Sequence, residues 1–496
     1  MDIPPLGLVR TIDVDSLAGK VEKFLLDGSE LSYVDSFSVD AVFLITHNRL
    51  DLVAKIAYLL GGNCSYTNKL YESHIKIFTL GRYVEKGAEL KNTADKFADE
   101  FERIYRSLVS KEFDVNISYV PICVDGSLLN GAHRVSACFV SKRVVDVVVL
   151  DYPPFDYGYE FFQKRGMAKD QIEYLVTRFS EFATDVYVAL LWPAYSLLDV
   201  DCMSYFPKVI YDREVKLTFQ GLHNLMVQAY SGEHWLGSCD DGFSGAKGKA
   251  RKCFGGQGVL RVIVFQSSSI DDVVSIKKTI RERCGIGKSS IHITDSKAEA
   301  LNLCQLLLND NSRHFLNYGN PYKYRDIFDR VCSFKSDVVN SGCDLDGIVI
   351  DGGAVLSVYG LRESRDLDYI SLLELVLNSP GVDCHDSQLK YYDIDKEDLI
   401  GDPNYFFYFN GLKFMSLEKV RGMKVARAGG KDILDVRLID SNVYFKTKGS
   451  LPSCVRQVYQ VIKFKVSILE GLLADFLMKF PFYNDVRRVY RRFFRK

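Results

Sequence analysis

The chain has 496 residues, of which 47% are hydrophobic and 26% are charged. This is the composition of a folded globular protein, and it excludes an extended disordered chain. Lys and Arg number 63 against 64 for Asp and Glu, so the net charge of −1 provides no general field for a polyanion. No local basic patch is evident in the body of the sequence, and we therefore expect no nucleic-acid partner.

The length predicts about three domains, at roughly 150 residues per domain. The twelve cysteines are scattered singly, without the C-x-x-C spacing of thiolate metal sites, which indicates reduced thiols. The first residues lack the basic and apolar regions of a secretion signal, and no run of about 18 uncharged apolar residues could span a bilayer. We expect a multidomain α/β protein in the cytoplasm.

Residues 1–150 are predicted to form an α/β domain. Asp40–Thr46 has the composition of a strand, and Leu50–Leu60 has the apolar spacing of a helix. Ile117–Val124 and Val144–Leu150 are two further predicted strands, with a turn and a helix between them.

The connection between those last two strands contains Asn130-Gly131-Ala132-His133-Arg134. It resembles the phosphate-binding turn of the ParB/sulfiredoxin fold, whose members include nucleotide-dependent kinases and DNA-binding proteins. The resemblance implies that Gly131, His133 and Arg134 contact a nucleotide phosphate, since helix amides, an imidazole and a guanidinium can converge on an anion. The alternative is that His133 and Arg134 only cap and solvate the start of the helix.

A boundary is expected near residue 151, where an aromatic-rich middle region, residues 151–255, begins. It ends in a glycine-rich segment, Gly237–Gly258, which is predicted to be a loop and a candidate lid or linker. Residues 256–440 are predicted to form the next α/β domain. It begins with a strand at Val259–Phe265, a helix at Asp271–Cys284, a strand at Ser290–Thr294 and a helix at Lys297–Leu308.

Polar residues follow the second of these strands. His292 and Asp295 lie at its end, and two interpretations stay open: the side chains line a pocket, or His292 is buried and hydrogen-bonded within the core. Residues 151–255 receive no functional interpretation.

The most informative pattern extends over Leu345–Ile370. A predicted strand leads into Asp351-Gly352-Gly353, whose glycines would let the backbone approach a triphosphate at the start of a short helix, Ala354–Tyr359. The next predicted strand carries Asp366 and Asp368, which a period of two places on one face, as a divalent cation requires. The pattern favours Mg²⁺ beside a nucleoside triphosphate.

This run resembles the nucleotidyltransferase superfamily signature, a Gly-Gly or Gly-Ser turn followed by Asp-x-Asp. Leu417–Lys424 and Lys431–Asp435 are similar to the helices that close small members of that superfamily, so the resemblance covers residues 340–440. It implies that Asp366 and Asp368 are catalytic residues that bind Mg²⁺ for attack on a nucleotide phosphate.

The same resemblance implies contacts with the phosphates. Gly352 and Gly353 would form the phosphate turn, and Lys424 would contact phosphate. Arg362 and Arg365, on the approach to the aspartate strand, would neutralise developing phosphoryl charge. The expected cofactors are Mg²⁺ and a nucleoside triphosphate, ATP or CTP.

The superfamily pattern also includes a third carboxylate on a later strand, which the sequence does not locate. The hairpin predicted at Tyr405–Phe414, with its Asn-Gly turn, has no acid in either strand. Asp393, Asp395 and Asp402 are the nearest substitutes.

Residues 441–496 are predicted to form a helical, basic tail, with an amphipathic helix over Val461–Phe480. Residues 480–496 interleave aromatic residues with arginines, the composition of a segment that lies on an anionic membrane surface. The tail resembles those of bacterial enzymes that build lipid-linked surface glycans. A helix that docks on the body, or an RNA-binding tail, are the alternatives.

The sequence thus predicts a Mg²⁺-dependent nucleotidyl- or phosphoryl-transferase with a small-molecule or glycan acceptor, in surface-polysaccharide synthesis on the inner face of a bacterial membrane. One alternative is an ATP-dependent small-molecule kinase built on the N-terminal unit. The other is an inactive nucleotide-binding scaffold, which would be consistent with a missing third carboxylate.

Overall fold

The computed structural model describes residues 3–27, 31–84, 92–110, 114, 118–198, 200–255, 258–373 and 380–441, and single positions between 462 and 476. Within these residues the chain is a mixed α/β protein with three sheets, which confirms the predicted class. Strands and α-helices are numbered below in chain order.

The first sheet belongs to the N-terminal region. Its strands are β1 (Leu6–Asp13), β2 (Tyr33–Asp40), β3 (Val120–Cys123) and β4 (Val144–Leu150). The helices here are α1 (Lys23–Leu26), α2 (Leu50–Gly61), α3 (Ser65–Phe78), α4 (Ala94–Ser110) and α5 (Ala132–Ser141). The strand order is β1-β2-β4-β3, and α5 connects the parallel pair β3 and β4, so the predicted order of strand, turn, helix and strand is confirmed.

The predicted strand at Asp40–Thr46 is wrong. β2 ends at Asp40, whose side chain accepts a hydrogen bond from the N–H of Val42 (3.0 Å), and residues 41–44 form a 3₁₀ turn. An aspartate that accepts from the N–H two residues later begins a turn rather than continuing a strand. Ala41 and Leu44 are apolar because the turn is buried in the core.

The second sheet contains β5 (Val186–Leu191), β6 (Val209–Lys216), β7 (Val259–Gln266) and β8 (Ile291–Ile293). Its helices are α6 (Tyr159–Lys164), α7 (Lys169–Phe182), α8 (Phe219–Ala229), α9 (Ser244–Cys253), α10 (Ile270–Cys284), α11 (Lys297–Leu307), α12 (Asp310–Tyr318) and α13 (Arg325–Asn340). The order is β6-β7-β5-β8, and adjacent strands are antiparallel. Because β5 and β6 both pair with β7, the boundary expected at residues 255 and 256 falls inside a sheet.

The glycine-rich segment is not a continuous loop, as the sequence predicted, because it contains α9. Asp241 accepts a hydrogen bond from the N–H of Ser244 (3.1 Å) at the start of this helix. Ala246, Ala250 and Cys253 are buried on one face of it. This helical spacing of small apolar residues outweighs the low helix propensity of glycine, since packing decides most helices in proteins.

The third sheet contains β9 (Ile348–Asp351), β10 (Leu367–Ser371), β11 (Val382–Cys384), β12 (Phe406–Phe409) and β13 (Leu412–Met415). Its helices are α14 (Gly352–Val358), α15 (Lys396–Gly401), α16 (Leu417–Arg427) and α17 (Gly430–Ser441). The order is β11-β10-β9-β13-β12, with β10 antiparallel to β9 and parallel to β11. The predicted Asn-Gly hairpin is confirmed: Asn410 and Gly411 both have positive φ, as a type I′ turn requires.

One large hydrophobic core connects these regions. It includes Val53 of α2, Leu175 of α7, Val264 of β7 and Ile350 of β9. Helix α2 lies within the predicted N-terminal domain, yet it packs in the same core as the second and third sheets.

Little of the C-terminal tail is described. Ile462, Val466, Leu469, Leu472, Leu473 and Phe476 are helical and exposed. The predicted membrane-surface segment 480–496 lies outside the described residues. In the part of the chain that is described, no helix has the length and apolar character needed to cross a membrane.

Candidate functional site

The Gly-Gly turn packs directly against the aspartate strand. Gly352, the first residue of α14, has φ +66°, and an ideal Cβ there would lie 2.3 Å from Oδ2 of Asp368. An ideal Cβ on Gly353 would lie 2.4 Å from Oγ of Ser364. Ser364 in turn donates a hydrogen bond to Oδ1 of Asp366 (2.9 Å). Gly352 therefore leaves room for the carboxylate of Asp368, and Gly353 leaves room for Ser364, which is hydrogen-bonded to Asp366.

A third carboxylate lies beside this pair. Asp366 immediately precedes β10, and Asp368 is its second residue. In the parallel pairing of β10 and β11, Asp368 is directly opposite Asp383. Paired residues on adjacent strands project from the same face, so Asp366, Asp368 and Asp383 share one face of the sheet.

Asp383 is not evident from the sequence because β11 is only three residues long, too short to show a period of two. A weak signal is present, since Asp383 has an apolar residue on each side, Val382 and Cys384. The nearest substitutes in the sequence lie outside the strands: Asp393 and Asp395 precede α15, and Asp402 follows it.

Negative charge accumulates around Asp368. Burial raises the pKa of this carboxyl, and the charges of Asp366, Asp351 and Asp383 raise it further, while His385 opposes them. Among the described residues, no group of three or more acidic, imidazole or thiol side chains is arranged as a metal site. The carboxylates of Asp366, Asp368 and Asp383 therefore lie together at one end of β10 and β11, here called the carboxylate edge, without the convergent geometry of a formed metal cage.

Beside these carboxylates, the buried Asp351 contacts the imidazole of His385. Asp351, fully buried at the end of β9, contacts Nδ1 of His385 through Oδ2 (3.0 Å). Its Oδ1 accepts a hydrogen bond from the hydroxyl of Tyr392 (2.6 Å). Burial by itself lowers the pKa of His385, but the hydrogen bond to Asp351 and the charge of Asp368 raise it on balance. His385 is not evident as a site residue from the sequence, because it is 34 residues from its partner.

Two of the predicted phosphate contacts have carboxylate partners in this structure. Arg362 donates to both carboxylate oxygens of Asp435 (2.5 and 2.9 Å). Lys424 is buried, with Nζ 2.8 Å from Asp435 and 3.3 Å from Asp432. This network ties α16 and α17 to the connection between α14 and β10. Contact of Arg362 or Lys424 with phosphate stays a prediction.

Two other arginines lie near the carboxylates. Arg365, also predicted to meet phosphate, is exposed immediately before Asp366. Arg427, which the sequence analysis did not single out, donates to both oxygens of Asp432 (2.9 and 2.7 Å). The charges of Asp351 and Asp368 also contribute to the raised pKa of Arg427, so its guanidinium provides positive charge at this end of the sheet.

The residues predicted to bind phosphate in the N-terminal region line a separate cavity of about 550 Å³. Gly131, with φ +87°, precedes α5 and lines this cavity together with His133 and Arg134. His133 Nε2 lies 3.0 Å from the hydroxyl of Tyr71, and Arg134 donates to the carbonyl of Tyr119 (3.2 Å). The structure therefore brings the predicted residues to one cavity, with further partners that the sequence did not indicate.

Buried charges form another wall of that cavity. Arg49 donates to both oxygens of Asp51 (2.7 Å each), and Lys55 Nζ lies 3.3 Å from Asp51 and 3.4 Å from Nε2 of His74. Burial alone would raise the pKa of Asp51, but the Arg49 and Lys55 cations hold it well below its usual range. Burial and Lys55 lower the pKa of His74 well below its ordinary value, so its imidazole is neutral.

Comparison of the chain with protein-family models, with curated proteins and with solved structures gives no match. The contacts of the carboxylate edge and of the N-terminal cavity are therefore the evidence for a function.

Proposed function

We propose that residues 340–440 form a Mg²⁺-dependent nucleotidyl- or phosphoryl-transferase module similar to the nucleotidyltransferase superfamily. The observation that carries the proposal is the register pair of Asp368 and Asp383, beside Asp366 and the Gly-Gly turn. Asp383 lies on the strand next to the aspartate pair, where it would serve as the third acid of the superfamily pattern.

The chemistry of the side chains at this edge, rather than their present geometry, suits a hard divalent cation. Carboxylate oxygens are the ligands that Mg²⁺ prefers in proteins, and the repulsion that raises the pKa of Asp368 would be relieved by positive charge. Asp366, Asp368 and Asp383 are the residues that would hold the ion. Bound there, Mg²⁺ would neutralise phosphate charge and orient the phosphates for in-line attack.

His385 is the candidate base for the acceptor hydroxyl. Asp351 occupies Nδ1, which leaves Nε2 to accept a proton in the neutral form. Asp351 is a positioning residue in this proposal, and Tyr392 holds it through a hydrogen bond. The same arrangement of an acid that orients an imidazole activates hydroxyl groups in other enzymes.

The substrates follow from this chemistry in class only. The donor is a nucleoside triphosphate, ATP or CTP, and the acceptor is a small molecule or glycan with a nucleophilic hydroxyl. A role in surface-polysaccharide synthesis, in the cytoplasm or on the inner face of the membrane, rests on the composition of residues 480–496 alone.

The test is a mass-spectrometric assay of each nucleoside triphosphate with Mg²⁺ and a bacterial metabolite extract. The intact chain is compared with Asp366→Asn/Asp368→Asn and with Asp393→Asn, a control that removes an exposed acid outside the strand pair. A nucleotidylated or phosphorylated product that disappears only in the double variant supports the proposal. Binding of nucleotide without turnover favours the scaffold alternative.

A second candidate function is an ATP-dependent small-molecule kinase in the N-terminal cavity. The observation that favours it is that His133 and Arg134 line one cavity with the buried Arg49 and Lys55. These cations and the neutral imidazole of His74, which lines the same cavity, suit a phosphate group. Loss of activity in Arg134→Ala but not in Asp368→Ala would place the chemistry here, and the reverse result would exclude it.

A further inference from the structure

A cleft of about 1050 Å³ opens on the second sheet, away from the carboxylate edge. The turn after α8, helices α9 to α11 and the edge strand β8 surround it. The cations that line it are Lys249, Lys252, Lys277, Arg281 and Lys288. They come from three separate segments, which is why no basic patch is evident along the sequence.

The cations of the cleft outnumber its acids, Glu233, Asp295 and Glu299. Asp295 is paired with Lys277 (2.7 Å). Burial lowers the pKa of Lys249, whose Nζ lies over the ring of Tyr230 and donates to the carbonyl of Lys288. Excess positive charge in a concave, partly dehydrated site attracts small anions.

Two buried nitrogen atoms of the cleft have no hydrogen-bond partner among the described residues. His292 is 8% exposed, and its Nε2 is buried with no hydrogen-bond partner among the described residues. Nε of Arg281 is also buried and has no hydrogen-bond partner among the described residues. Burial, with the charge of Lys277 next, lowers the pKa of His292 to about 3, so the imidazole is neutral. Buried polar groups are normally hydrogen-bonded, so these atoms indicate a polar ligand.

The shape of the cleft also indicates a ligand. Helix α9 directs Gly245, Gly248, Lys249 and Lys252 into it, at the spacing of one helix face. Glycine is unfavourable inside a helix, and an ideal Cβ on Gly248 would meet nothing within 4 Å. The helix therefore leaves space in front of its cations that a side chain would otherwise occupy.

An aromatic wall completes the cleft. The rings of Tyr230 and Trp235 are 5.1 Å apart, and Trp235 is 41% exposed. An exposed tryptophan beside a row of cations suits a planar ring joined to phosphate, because the ring stacks while the phosphate meets the charges.

We propose that this cleft binds a phosphorylated small molecule that carries a planar ring, the chemistry of a nucleotide. Its phosphate lies against Lys252, Arg281 and Lys288, and its ring lies against Trp235. This site is independent of the proposed transferase, because none of its residues belongs to β9, β10 or β11.

Tryptophan fluorescence of the full chain reports on the cleft. The protein has two tryptophans, and Trp192 is fully buried, so acrylamide quenching follows Trp235. AMP, ATP, ribose 5-phosphate and inorganic phosphate are titrated in EDTA, which keeps divalent cations from the carboxylate edge. Calorimetry gives the Kd of each probe.

We expect AMP or ATP to protect Trp235, and ribose 5-phosphate and phosphate to bind more weakly because they lack the planar ring. Arg281→Gln should weaken binding by roughly tenfold or more, the loss expected for one charge-assisted hydrogen bond. Lys278→Gln is the matched control, since this lysine is on the same helix but outside the cleft. Gly248→Leu should abolish binding while the melting temperature is kept or raised.

Three results would overturn the proposal. The first is no saturable binding of any probe up to about 1 mM. The second is equal loss of affinity in Arg281→Gln and Lys278→Gln. The third is loss of binding in Asp366→Asn/Asp368→Asn but not in Gly248→Leu, which would place the nucleotide at the carboxylate edge. Failure of the proposed transferase leaves cleft binding unchanged, so the two proposals fail separately.

Discussion

Asp368 on β10 and Asp383 on β11 are directly paired in parallel register, fifteen positions apart in the chain. The pairing places a third carboxylate beside the aspartates of the Asp-x-Asp sequence. The spacing of the signature does not reveal this third residue, on which the proposed cation-dependent function would depend.

We expect Asp383→Asn to abolish Mg²⁺-dependent transfer. Loss of one carboxylate removes a ligand and part of the negative charge, and the rate should fall by roughly 10²-fold or more. Mg²⁺ should also raise the melting temperature of the unmodified chain, because a ligand that binds only the folded state stabilises it. This increase should be absent in Asp383→Asn and intact in Asp393→Asn; an equal response in both variants would contradict the assignment.

His385 should give the reaction a pH dependence. The base form of His385 is needed, and its pKa is raised above 6.5, so kcat/KM should increase as the pH rises through that pKa. In His385→Asn the rate should fall by about 10²-fold or more, and the acidic limb of the pH profile should disappear. A profile that keeps the limb would show that another group titrates.

The same raised pKa predicts a stability effect of opposite pH dependence. The protonated His385 contributes stability below its unfolded pKa near 6.5, and this contribution is lost as the pH rises through the higher folded pKa. Urea denaturation as a function of pH should show this loss in the unmodified chain. His385→Asn should show a flatter dependence across that window.

Gly352→Ala should destabilise the fold. The added Cβ would lie 2.3 Å from Asp368 Oδ2 at φ +66°, and the free energy of unfolding should fall by about 1–3 kcal/mol. Gly422→Ala is the matched control, since Gly422 is an exposed residue within α16 and an added Cβ meets nothing within 4 Å. It should raise the free energy of unfolding by about 0.5–1 kcal/mol. Equal effects in a urea titration would contradict the close packing of Gly352 against Asp368.

Asp435→Ala should be far more costly than Asp440→Ala on the same helix. Asp435 is buried between Lys424 and Arg362, so its removal leaves buried positive charge and should cost about 3–5 kcal/mol. Asp440 pairs with Arg421 at the surface, where a pair contributes less than about 1 kcal/mol. Denaturant unfolding of both variants measures the difference, and similar losses would show that the network adds little stability.

The success of the sequence predictions depended on the length and regularity of each element. Leu50–Leu60 and Val144–Leu150 were located because their apolar patterns are long and regular, and the hairpin because Asn-Gly selects its turn. The strand predicted at Asp40–Thr46 was wrong because a buried 3₁₀ turn has the same apolar composition. Helix α9 was not predicted because the many glycines of this segment indicate a loop, although Ala246 and Ala250 have the spacing of one helix face.

The sequence by itself determined the α/β class, most long elements and the strand, Gly-Gly turn and helix that precede Asp366 and Asp368, because these depend on neighbouring residues. Only the tertiary structure decided that Asp383 pairs with Asp368 and that Lys424 faces Asp435. The tertiary structure also places the cations of α9, α10 and the turn before β8 around one cleft. Each of these contacts depends on how distant segments pack, and the free energy of that packing is not encoded in any local pattern.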